Sequence, residues 1–267
     1  MHEKINLIVN SFKILKTYTE KIKHKNYVEY KNVGSIFSYN DRKFRKIQNF
    51  FKYTLDISTY FYNPLIKGNN SSLIFYTSDF VYTIKVINKN EFNTLNFILD
   101  DYYNYIINTN YSFLVKILGC YEAHNIKFIV MENKLKVFEN IQIFDIKGFN
   151  IMRESKNKFI KKEKDWIKIN AKIKTNELIL KCLEKDLLFL KKKNIMDYSL
   201  IIGMKDNKNF NFGIIDILTT YNITKRIEFI YNLICLCTRK KSCTNPERYF
   251  ERFNKMVSEY VFKLETS

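Results

Sequence analysis

Apolar positions along the first half of the chain change between the spacing of helices and that of strands. Where they recur every three or four residues, as at Ile5, Ile8 and Phe12, they predict an amphipathic helix. Where they run together on both sides of Ser78-Asp79, they predict the two strands of a hairpin. Helices are predicted over residues 1–24, 42–57 and 91–107, and strands over 73–77, 80–87, 115–121 and 127–131.

The second half of the chain has helical spacing at both ends and strand-like runs between them. One helix is predicted over 176–193, and another begins at the N-cap and proline of Asn245-Pro246. Between these helices lie two apolar runs that contain Asp197 and Asp216 and are joined by a short polar turn. A short strand precedes residues 154–174, which are Lys-rich and weakly periodic and are predicted to form a mobile loop.

These elements predict an α+β fold of two lobes. The N-terminal lobe, residues 1–133, would contain helices and an antiparallel sheet with the order β-β-α-β-β. The C-terminal lobe, residues 134–267, would be mostly helical and would carry one β-hairpin and a closing helix. The boundary is expected close to Glu132-Asn133-Lys134.

Composition supports a globular protein and suggests an anionic partner. The 267 residues are 46% hydrophobic and 16% aromatic, which argues against a disordered chain. The net charge of +18 predicts contact with a membrane surface or a nucleic acid. AT-rich codons would also raise the Lys content, so the charge alone does not select between these partners.

The sequence gives no indication of export or of a zinc site. The N-terminus lacks the apolar region of a signal peptide, and no apolar run reaches the roughly 20 residues of a membrane span. A cytosolic protein with reduced thiols is therefore expected. Cys235, Cys237 and Cys243 lie close together in sequence, but no fourth zinc ligand is near them.

Asp197 and Asp216 are the clearest candidates for chemistry. Each is a lone carboxylate within an apolar strand-like run, and an unpaired buried charge costs several kcal/mol. The hairpin is therefore expected to hold something cationic between them. A phosphoryl-transfer enzyme needs one Asp to orient the attacking hydroxyl and another to hold Mg²⁺.

Lys85 and Glu91 suggest a nucleotide-binding pair in the N-terminal half. Lys85 lies in the middle of a predicted strand, and Glu91 opens the next helix six positions later. A strand Lys paired with a helix Glu and directed at ATP phosphates is the arrangement of kinases. The protein-kinase motifs Gly-x-Gly-x-x-Gly, His-Arg-Asp and Asp-Phe-Gly are missing from the sequence.

Several short segments together carry a resemblance to a known family. The segment Met-Asp-Tyr-Ser-Leu at residues 196–200 reproduces a hallmark of the phosphatidylinositol phosphate kinases. The other matching segments are Ile84-Lys85, Val130 to Asn133, Asp145-Ile146-Lys147-Gly148, Ile214-Ile215-Asp216 and Asn245 to Tyr249. Over residues 44–262 the chain resembles this family, which implies ATP and Mg²⁺ as cofactors and a phosphoinositide in an anionic membrane as substrate.

The resemblance implies a role for each matching residue. Asp197 would act on the inositol hydroxyl, Asp216 would bind Mg²⁺, and Lys147 would meet a phosphate of the nucleotide or the lipid. The nucleotide would be bound by Gly68, Ser71, Ser72, Lys85, Glu91, Met131 and Asn133. The substrate and the membrane would be met by Arg153, Lys225, Arg226 and Glu228.

The same resemblance favours the inositol 5-hydroxyl as the group that is phosphorylated. The stretch between Asp216 and Pro246 resembles the specificity loop of the family, with Lys225-Arg226 as its basic pair. Glu228 follows this pair, at a position where the 4-kinase branch usually carries alanine. Phosphatidylinositol 4-phosphate is the preferred substrate, and the 3-phosphate is the alternative. The phosphate loop at 68–72 is poor in glycine, so a membrane-binding pseudokinase stays open. No signature of a nucleic-acid binder is present, and the oligomeric state is open.

Overall fold

A computed structural model describes most of the chain. The residues described are 2–32, 34–55, 60–61, 73–135, 141–148, 153–155, 159–206, 209–221 and 245–265. The chain divides into two compact units. The first unit comprises Met1–Asn110 and Val115–Lys136, and the second comprises Tyr111–Leu114 and Val137–Ser267.

An antiparallel sheet of eight strands forms the core of the first unit. Its strand order is β1-β2-β3-β7-β8-β6-β5-β4, and every neighbouring pair is antiparallel. The elements are α1 (His2–Thr17), β1 (Glu20–Lys23), β2 (Tyr27–Lys31), β3 (Ser35–Tyr39), α2 (Asp41–Phe50), β4 (Tyr60–Phe61), β5 (Ile74–Thr77), β6 (Tyr82–Val86), α3 (Lys89–Asn108), β7 (Ile117–Ala123) and β8 (Ile126–Glu132).

The beginning of the first unit differs from the sequence prediction. The helix predicted over 1–24 ends at Thr17, and three strands that were not predicted follow it. Three of the four residues of β1 are exposed, and of the five residues of β2 only Tyr30 is fully buried. Strands β1 and β2 therefore leave no alternation of apolar and polar positions to detect. Burial does alternate along β3, but one of its two buried residues is Ser38, so the apolar pattern is incomplete there as well.

Helix α3 begins with a capping box. The Asn88 side chain accepts a hydrogen bond from the Glu91 backbone N–H at 3.0 Å, and the Asn88 N–H donates to a Glu91 carboxylate oxygen at 2.9 Å. Two otherwise unpaired donors are satisfied in this way, so the start of the helix is fixed. Leu95, Leu99 and Tyr102 of α3 are buried, as helical spacing predicts.

The second unit contains a four-stranded sheet rather than an isolated hairpin. Its order is β10-β9-β12-β13, and β11 pairs separately with β14. The elements are β9 (Gln142–Ile146), β10 (Ile160–Lys161), α4 (Glu163–Ile169), β11 (Ile173–Thr175), α5 (Glu177–Lys192), β12 (Ser199–Lys205), β13 (Asn209–Ile215), α6 (Pro246–Met256), a π-helical turn (Val257–Val261) and β14 (Phe262–Leu264). Helix α6 starts as predicted, because the Asn245 side chain accepts a hydrogen bond from the Arg248 N–H at 2.8 Å.

The prediction of a mobile loop over 154–174 is wrong for the part from Phe159 onward. Strand β10, helix α4 and the start of β11 occupy this stretch. Trp166 of α4 is fully buried, packs edge-on against Phe144 at 5.0 Å between ring centroids, and donates from its indole N–H to the Tyr260 carbonyl at 2.9 Å. One large aromatic side chain thus anchors a segment whose exposed lysines hide its helical spacing.

Among the helices that the structure describes, none combines the length and apolar composition that crossing a bilayer requires. The architecture is a mixed α+β fold with one large antiparallel sheet and a smaller second sheet.

Candidate active site

Asp197 and Asp216 lie at the same end of the β12–β13 hairpin. The register pairs Ser199 with Ile215, so Asp197 precedes the last pair by two residues and Asp216 follows it by one. Beyond this pair the two segments of the hairpin stay close to each other, since the Met196 N–H donates to the Thr219 carbonyl at 2.9 Å. The prediction that both carboxylates lie within strands is therefore wrong. The two strands next to them do pair with each other, as the predicted hairpin requires.

A left-handed backbone explains why the strands stop at these positions. Asp197 and Asp216 both have φ of 61°. This conformation costs a residue other than glycine about 1–2 kcal/mol, and Asp tolerates it better than most because its short side chain bonds locally. Such strain is concentrated at functional sites, where the surrounding structure holds it. Eight other non-glycine residues among those described also have a positive φ, so the conformation alone does not mark a site. The location of both carboxylates at one end of the hairpin is what supports a common function.

Lys147 contacts the Asp197 segment directly. Its ammonium donates to the Asp197 carbonyl oxygen at 2.9 Å, while its backbone N–H donates to the Glu163 carboxylate at 2.8 Å. The following residue, Gly148, has φ of 64°, and a Cβ at that position would lie 2.7 Å from the Phe253 Cα. The turn after β9 therefore requires glycine both for its backbone conformation and for the close approach of α6.

Arg153 joins the same group through Glu163. Its Nε donates to Glu163 at 2.5 Å, and its terminal nitrogen donates to the Asp145 carbonyl oxygen at 2.7 Å. The Glu163 side chain is fully buried. The structure thus brings Lys147 and Arg153 together, and the residue that links them was missed by the sequence analysis. Trp166, the only tryptophan of the chain, is the signal that could have revealed α4 and its first residue.

Helix α6 closes this region from another direction. The Tyr249 hydroxyl donates to the Tyr198 carbonyl oxygen. Burial raises the pKa of this hydroxyl well above its usual value, and the Asp197 carboxylate adds to the rise. Burial lowers the pKa of the Arg252 guanidinium, an effect that Tyr249 and Asp197 oppose. The Tyr249 bond to the carbonyl of Tyr198, the residue after Asp197, is what places this face of α6 beside the Asp197 segment.

In the first unit, Lys85 and Glu91 form the predicted ion pair. The Lys85 ammonium lies 3.0 Å from a Glu91 carboxylate oxygen, and Lys85 is only 6% exposed. The other Glu91 oxygen accepts the Asn88 N–H of the capping box. The start of α3 therefore fixes the carboxylate that orients the strand lysine.

Asn133 shapes the turn after β8. Its backbone N–H donates to the Val81 carbonyl at 2.9 Å, and its side-chain amide donates to the Phe80 carbonyl at 2.7 Å. Met131 lies within the sheet and pairs with Thr83 of β6. The contact of Met131 and Asn133 with adenine stays a prediction, and the donors of Asn133 already have partners within the chain.

The buried glutamate of the first unit was not predicted from the sequence. Glu132 is 7% exposed, and its carboxylate lies 2.7 Å from the Lys134 ammonium and 3.5 Å from that of Lys116. It also accepts hydrogen bonds from the Lys116 N–H and the Tyr53 hydroxyl, both at 2.8 Å. Burial lowers the pKa of Lys134 to about 8, which Lys116 reinforces and Glu132 opposes. Two cations here share one acid among the described residues.

Six of the predicted site residues lie outside the described part of the chain. They are Gly68, Ser71 and Ser72 of the phosphate loop and Lys225, Arg226 and Glu228 of the specificity loop. Their assignments stay predictions.

Comparison with known proteins agrees with the resemblance. The model of the family described as phosphatidylinositol-4-phosphate 5-kinase matches residues 58–211 and 207–260. A phosphatidylinositol 4-phosphate 5-kinase of Plasmodium falciparum is 27% identical over 74% of this chain and 16% of its own length. The phosphatidylinositol 4-phosphate 5-kinase its3 of Schizosaccharomyces pombe is 28% identical over 52% of this chain and 21% of its own length. A human 1-phosphatidylinositol 3-phosphate 5-kinase is 26% identical over 73% of this chain and 11% of its own length.

The chain therefore spans between about a tenth and a fifth of the length of these relatives. The family match, by contrast, covers most of the chain from residue 58 onward. The Met-Asp-Tyr-Ser-Leu segment and the family model indicate the same assignment. This chain belongs to the phosphatidylinositol-4-phosphate 5-kinase family.

Proposed function

We propose that the chain is a phosphatidylinositol phosphate kinase with a two-lobed, kinase-like fold. It transfers the γ-phosphoryl group of ATP to the 5-hydroxyl of a phosphatidylinositol monophosphate. The observation that carries this proposal is the end of the β12–β13 hairpin, where Asp197 and Asp216 both lie and where Lys147 bonds to the Asp197 carbonyl at 2.9 Å. Membership of the family supports the reaction class.

The monophosphate is proposed to be phosphatidylinositol 4-phosphate, which gives the 4,5-bisphosphate. The names of the relatives agree on a 5-kinase and differ in the monophosphate, which is the 4-phosphate in two and the 3-phosphate in the third. The 3-phosphate is therefore the alternative substrate. Glu228 of the specificity loop is the proposed determinant of the 5-position.

ATP is proposed to be bound by residues of the first unit. Lys85 would contact the phosphates, and Glu91, held by the capping box, keeps the ammonium in one place at 3.0 Å. A buried lysine with a fixed partner is a preorganised phosphate contact, because its orientation is set before the ligand arrives. Met131 and Asn133 are proposed to border the adenine, and Gly68, Ser71 and Ser72 to meet the phosphates.

Asp216 is proposed to hold Mg²⁺. The described residues contain no group of three or more His, Cys, Asp or Glu side chains that could enclose a metal. Magnesium does not need one, because it is commonly bound by one or two carboxylates together with substrate phosphates and water. The donor set at Asp216 therefore fits this ion. When bound, the ion would neutralise phosphate charge and orient the transferred group.

Asp197 is proposed to act on the attacking hydroxyl. Its carboxylate would accept the hydrogen bond of the inositol 5-hydroxyl and direct that oxygen toward the phosphorus. The Lys147 bond to its carbonyl and the Tyr249 bond to the next carbonyl, that of Tyr198, limit movement of this segment. Catalysis then depends mainly on positioning and on charge neutralisation.

A peripheral membrane enzyme of the cytoplasm is the proposed context. The net charge of +18 would favour an anionic lipid surface, and each basic residue near such a surface contributes about 1 kcal/mol. Lys225 and Arg226 are the proposed contacts with that surface, and Arg153 with the headgroup. No nucleic-acid partner is proposed.

Purified protein, labelled ATP with Mg²⁺, and liposomes that contain each phosphatidylinositol monophosphate in turn test the function. The expected result is one bisphosphate, formed best from the 4-phosphate and reduced at least about 1,000-fold in Asp197→Asn and in Asp216→Asn. Equal product from wild type and both variants would assign the activity to a contaminant. Liposome binding with no product from any monophosphate would favour the pseudokinase.

A further inference from the structure

Glu163 is a fully buried carboxylate to which the proposed chemistry assigns no role. Both of its oxygens are occupied. One accepts the Lys147 backbone N–H at 2.8 Å, and the other accepts the Arg153 Nε at 2.5 Å. An ionised acid without solvent contact is retained only where such bonds compensate its desolvation. The carboxylate therefore requires Lys147 and Arg153 in these positions.

Helix α4 holds Glu163 in place from its other side. Trp166, three residues later, is fully buried and donates to the Tyr260 carbonyl at 2.9 Å. The Lys164 N–H donates to the Arg153 carbonyl at 3.0 Å, so α4 binds both the backbone and the guanidinium of that residue. The carboxylate is therefore fixed in position, and it holds the backbone of Lys147 and the guanidinium of Arg153.

The choice of atoms determines where the two positive charges point. Glu163 bonds to the amide of Lys147 and leaves its ammonium to reach the Asp197 carbonyl at 2.9 Å. It bonds to the Nε of Arg153, while a terminal nitrogen of that guanidinium reaches the Asp145 carbonyl at 2.7 Å. One buried acid thus fixes both residues. The Lys147 ammonium lies beside the Asp197 segment, and the Arg153 guanidinium lies beside Asp145 of β9.

We propose that Glu163 is a positioning residue that directs Lys147 and Arg153 toward the phosphate of the lipid headgroup. The proposal rests on the function proposed above. Glu163 touches neither substrate nor nucleotide, and it acts through the two cations. Its loss therefore lowers the affinity for the lipid and the rate of transfer, and it leaves the KM for ATP unchanged.

A double-mutant cycle tests this link. Glu163→Gln and Arg153→Ala are each expected to lower kcat/KM for the lipid about 30-fold, because a small misplacement of a binding group costs up to about 100-fold. The double variant is expected to be no worse than the poorer single variant, since both changes break the same connection. Losses that multiply, or a KM for ATP that rises with the lipid KM, would overturn the proposal.

Asp165→Asn is the matched structural control. Asp165 lies on the same helix, and its carboxylate accepts the Lys162 N–H at 3.0 Å and the Ser155 N–H at 3.3 Å, two backbone donors that belong to neither Lys147 nor Arg153. This change is expected to lower the melting temperature of the chain while kcat/KM stays within about twofold, because a helix cap serves stability. Equal losses of activity in Asp165→Asn and Glu163→Gln would reduce Glu163 to a structural residue.

Glu163→Asp supplies the second variant if Glu163→Gln does not fold. The shorter side chain keeps the charge and is expected to retain more activity than Glu163→Gln, and an equal loss would contradict the positioning role. Failure of the proposed function is recognised separately, as a wild type that forms no bisphosphate. In that case, the binding of soluble inositol 1,4-bisphosphate, measured by calorimetry, is expected to weaken about 10-fold in Glu163→Gln. Unchanged binding would overturn the inference.

Discussion

Each unit of the molecule contains one buried glutamate that two basic residues share, and the two clusters use it differently. In the first unit, Glu132 faces the ammonium groups of Lys134 at 2.7 Å and Lys116 at 3.5 Å. In the second unit, Glu163 accepts the Arg153 guanidinium at 2.5 Å but only the backbone amide of Lys147 at 2.8 Å.

We propose that this difference separates a structural cluster from a functional one. Around Glu132 both lysine ammonium groups pair with the carboxylate, so the cluster joins the end of β8 to the segments that contain Lys116 and Lys134. Around Glu163 the Lys147 ammonium stays directed at the Asp197 segment, where a substrate phosphate is proposed to bind. A buried acid that takes an amide in place of an ammonium leaves a positive charge available for chemistry.

Removal of one lysine charge from each cluster should give the largest contrast. Lys147→Met is expected to lower kcat/KM about 1,000-fold, as removal of a preorganised charge contact does, with little change in melting temperature because the amide bond to Glu163 remains. Lys134→Met should keep activity within about twofold of wild type. Headgroup phosphorylation measured beside thermal unfolding checks both. Similar activity in the two variants would remove the functional distinction between the clusters.

Removal of the buried acid should affect stability more in the first unit than in the second, whereas removal of the lysine charge affects activity more in the second. Glu132→Gln leaves two buried lysines without their carboxylate and is expected to lower the free energy of unfolding by about 3 kcal/mol. Glu163→Gln should cost about 1–2 kcal/mol, because Arg153 keeps its bond to the Asp145 carbonyl. Urea unfolding followed by circular dichroism measures both.

Glu154→Gln is the exposed control for these two variants. Its carboxylate pairs with Lys164 and Lys168 on the surface, and its loss should change melting by no more than about 1–2 °C. A larger loss in Glu163→Gln than in Glu132→Gln would contradict the assignment of Glu132 as the structural cluster.

The contacts that the sequence could predict are those between residues close together along the chain. The Lys85–Glu91 pair and the Asn245 cap depend on residues no more than six positions apart, and both are present. The pairs around the two glutamates are more distant: 10 residues separate Arg153 from Glu163, and 79 separate Tyr53 from Glu132. Tertiary packing brings them together, and no spacing in the sequence indicates it.

The ends of the strands were also beyond sequence reasoning. The apolar runs around Asp197 and Asp216 correctly predicted a hairpin, but the left-handed backbone that ends each strand depends on the surrounding structure. The exposed β1 strand was missed because its residues carry no apolar alternation.

Gly148→Ala should test how firmly the second cluster is held. The new Cβ would lie 2.7 Å from the Phe253 Cα in a residue with φ of 64°, so the turn or α6 must move. A destabilisation of about 1–3 kcal/mol is expected. Activity should fall about tenfold because Lys147 is displaced.

Gly119→Ala is the matched change in the first unit. Its Cβ would meet the Tyr121 ring rather than backbone, and its φ lies outside the left-handed region. Its effect on activity should be smaller than that of Gly148→Ala. Equal activity losses would mean that the Lys147 turn is no more sensitive than the sheet of the first unit.

The smallest expected effect concerns the pH dependence of the first cluster. The pKa of Lys134 in the folded chain, about 8, lies below the usual value of 10.5, chiefly because of burial. Between these two values the unfolded chain binds more protons at this site, so this lysine makes stability rise with pH from about 8 upward. Below about 8 both states are protonated, and the cost of the buried charge is present in full. Lys134→Met removes that cost, while the Glu132 carboxylate keeps Lys116 at 3.5 Å and the Tyr53 hydroxyl at 2.8 Å as partners. The variant should therefore be more stable than wild type at pH 7 by about 1 kcal/mol, or about 2–4 °C in melting temperature. The difference should shrink by pH 9.5, where wild-type Lys134 is largely neutral. Titration of Tyr53 at higher pH is common to both proteins and cancels in their difference.

Two results would contradict this prediction: a stability difference that stays constant between pH 7 and pH 9.5, or a variant that is less stable than wild type at pH 7. Either would show that the Glu132 carboxylate fully compensates the burial of both lysines. The contrast with the Glu163 cluster would then lie only in which atoms are bonded.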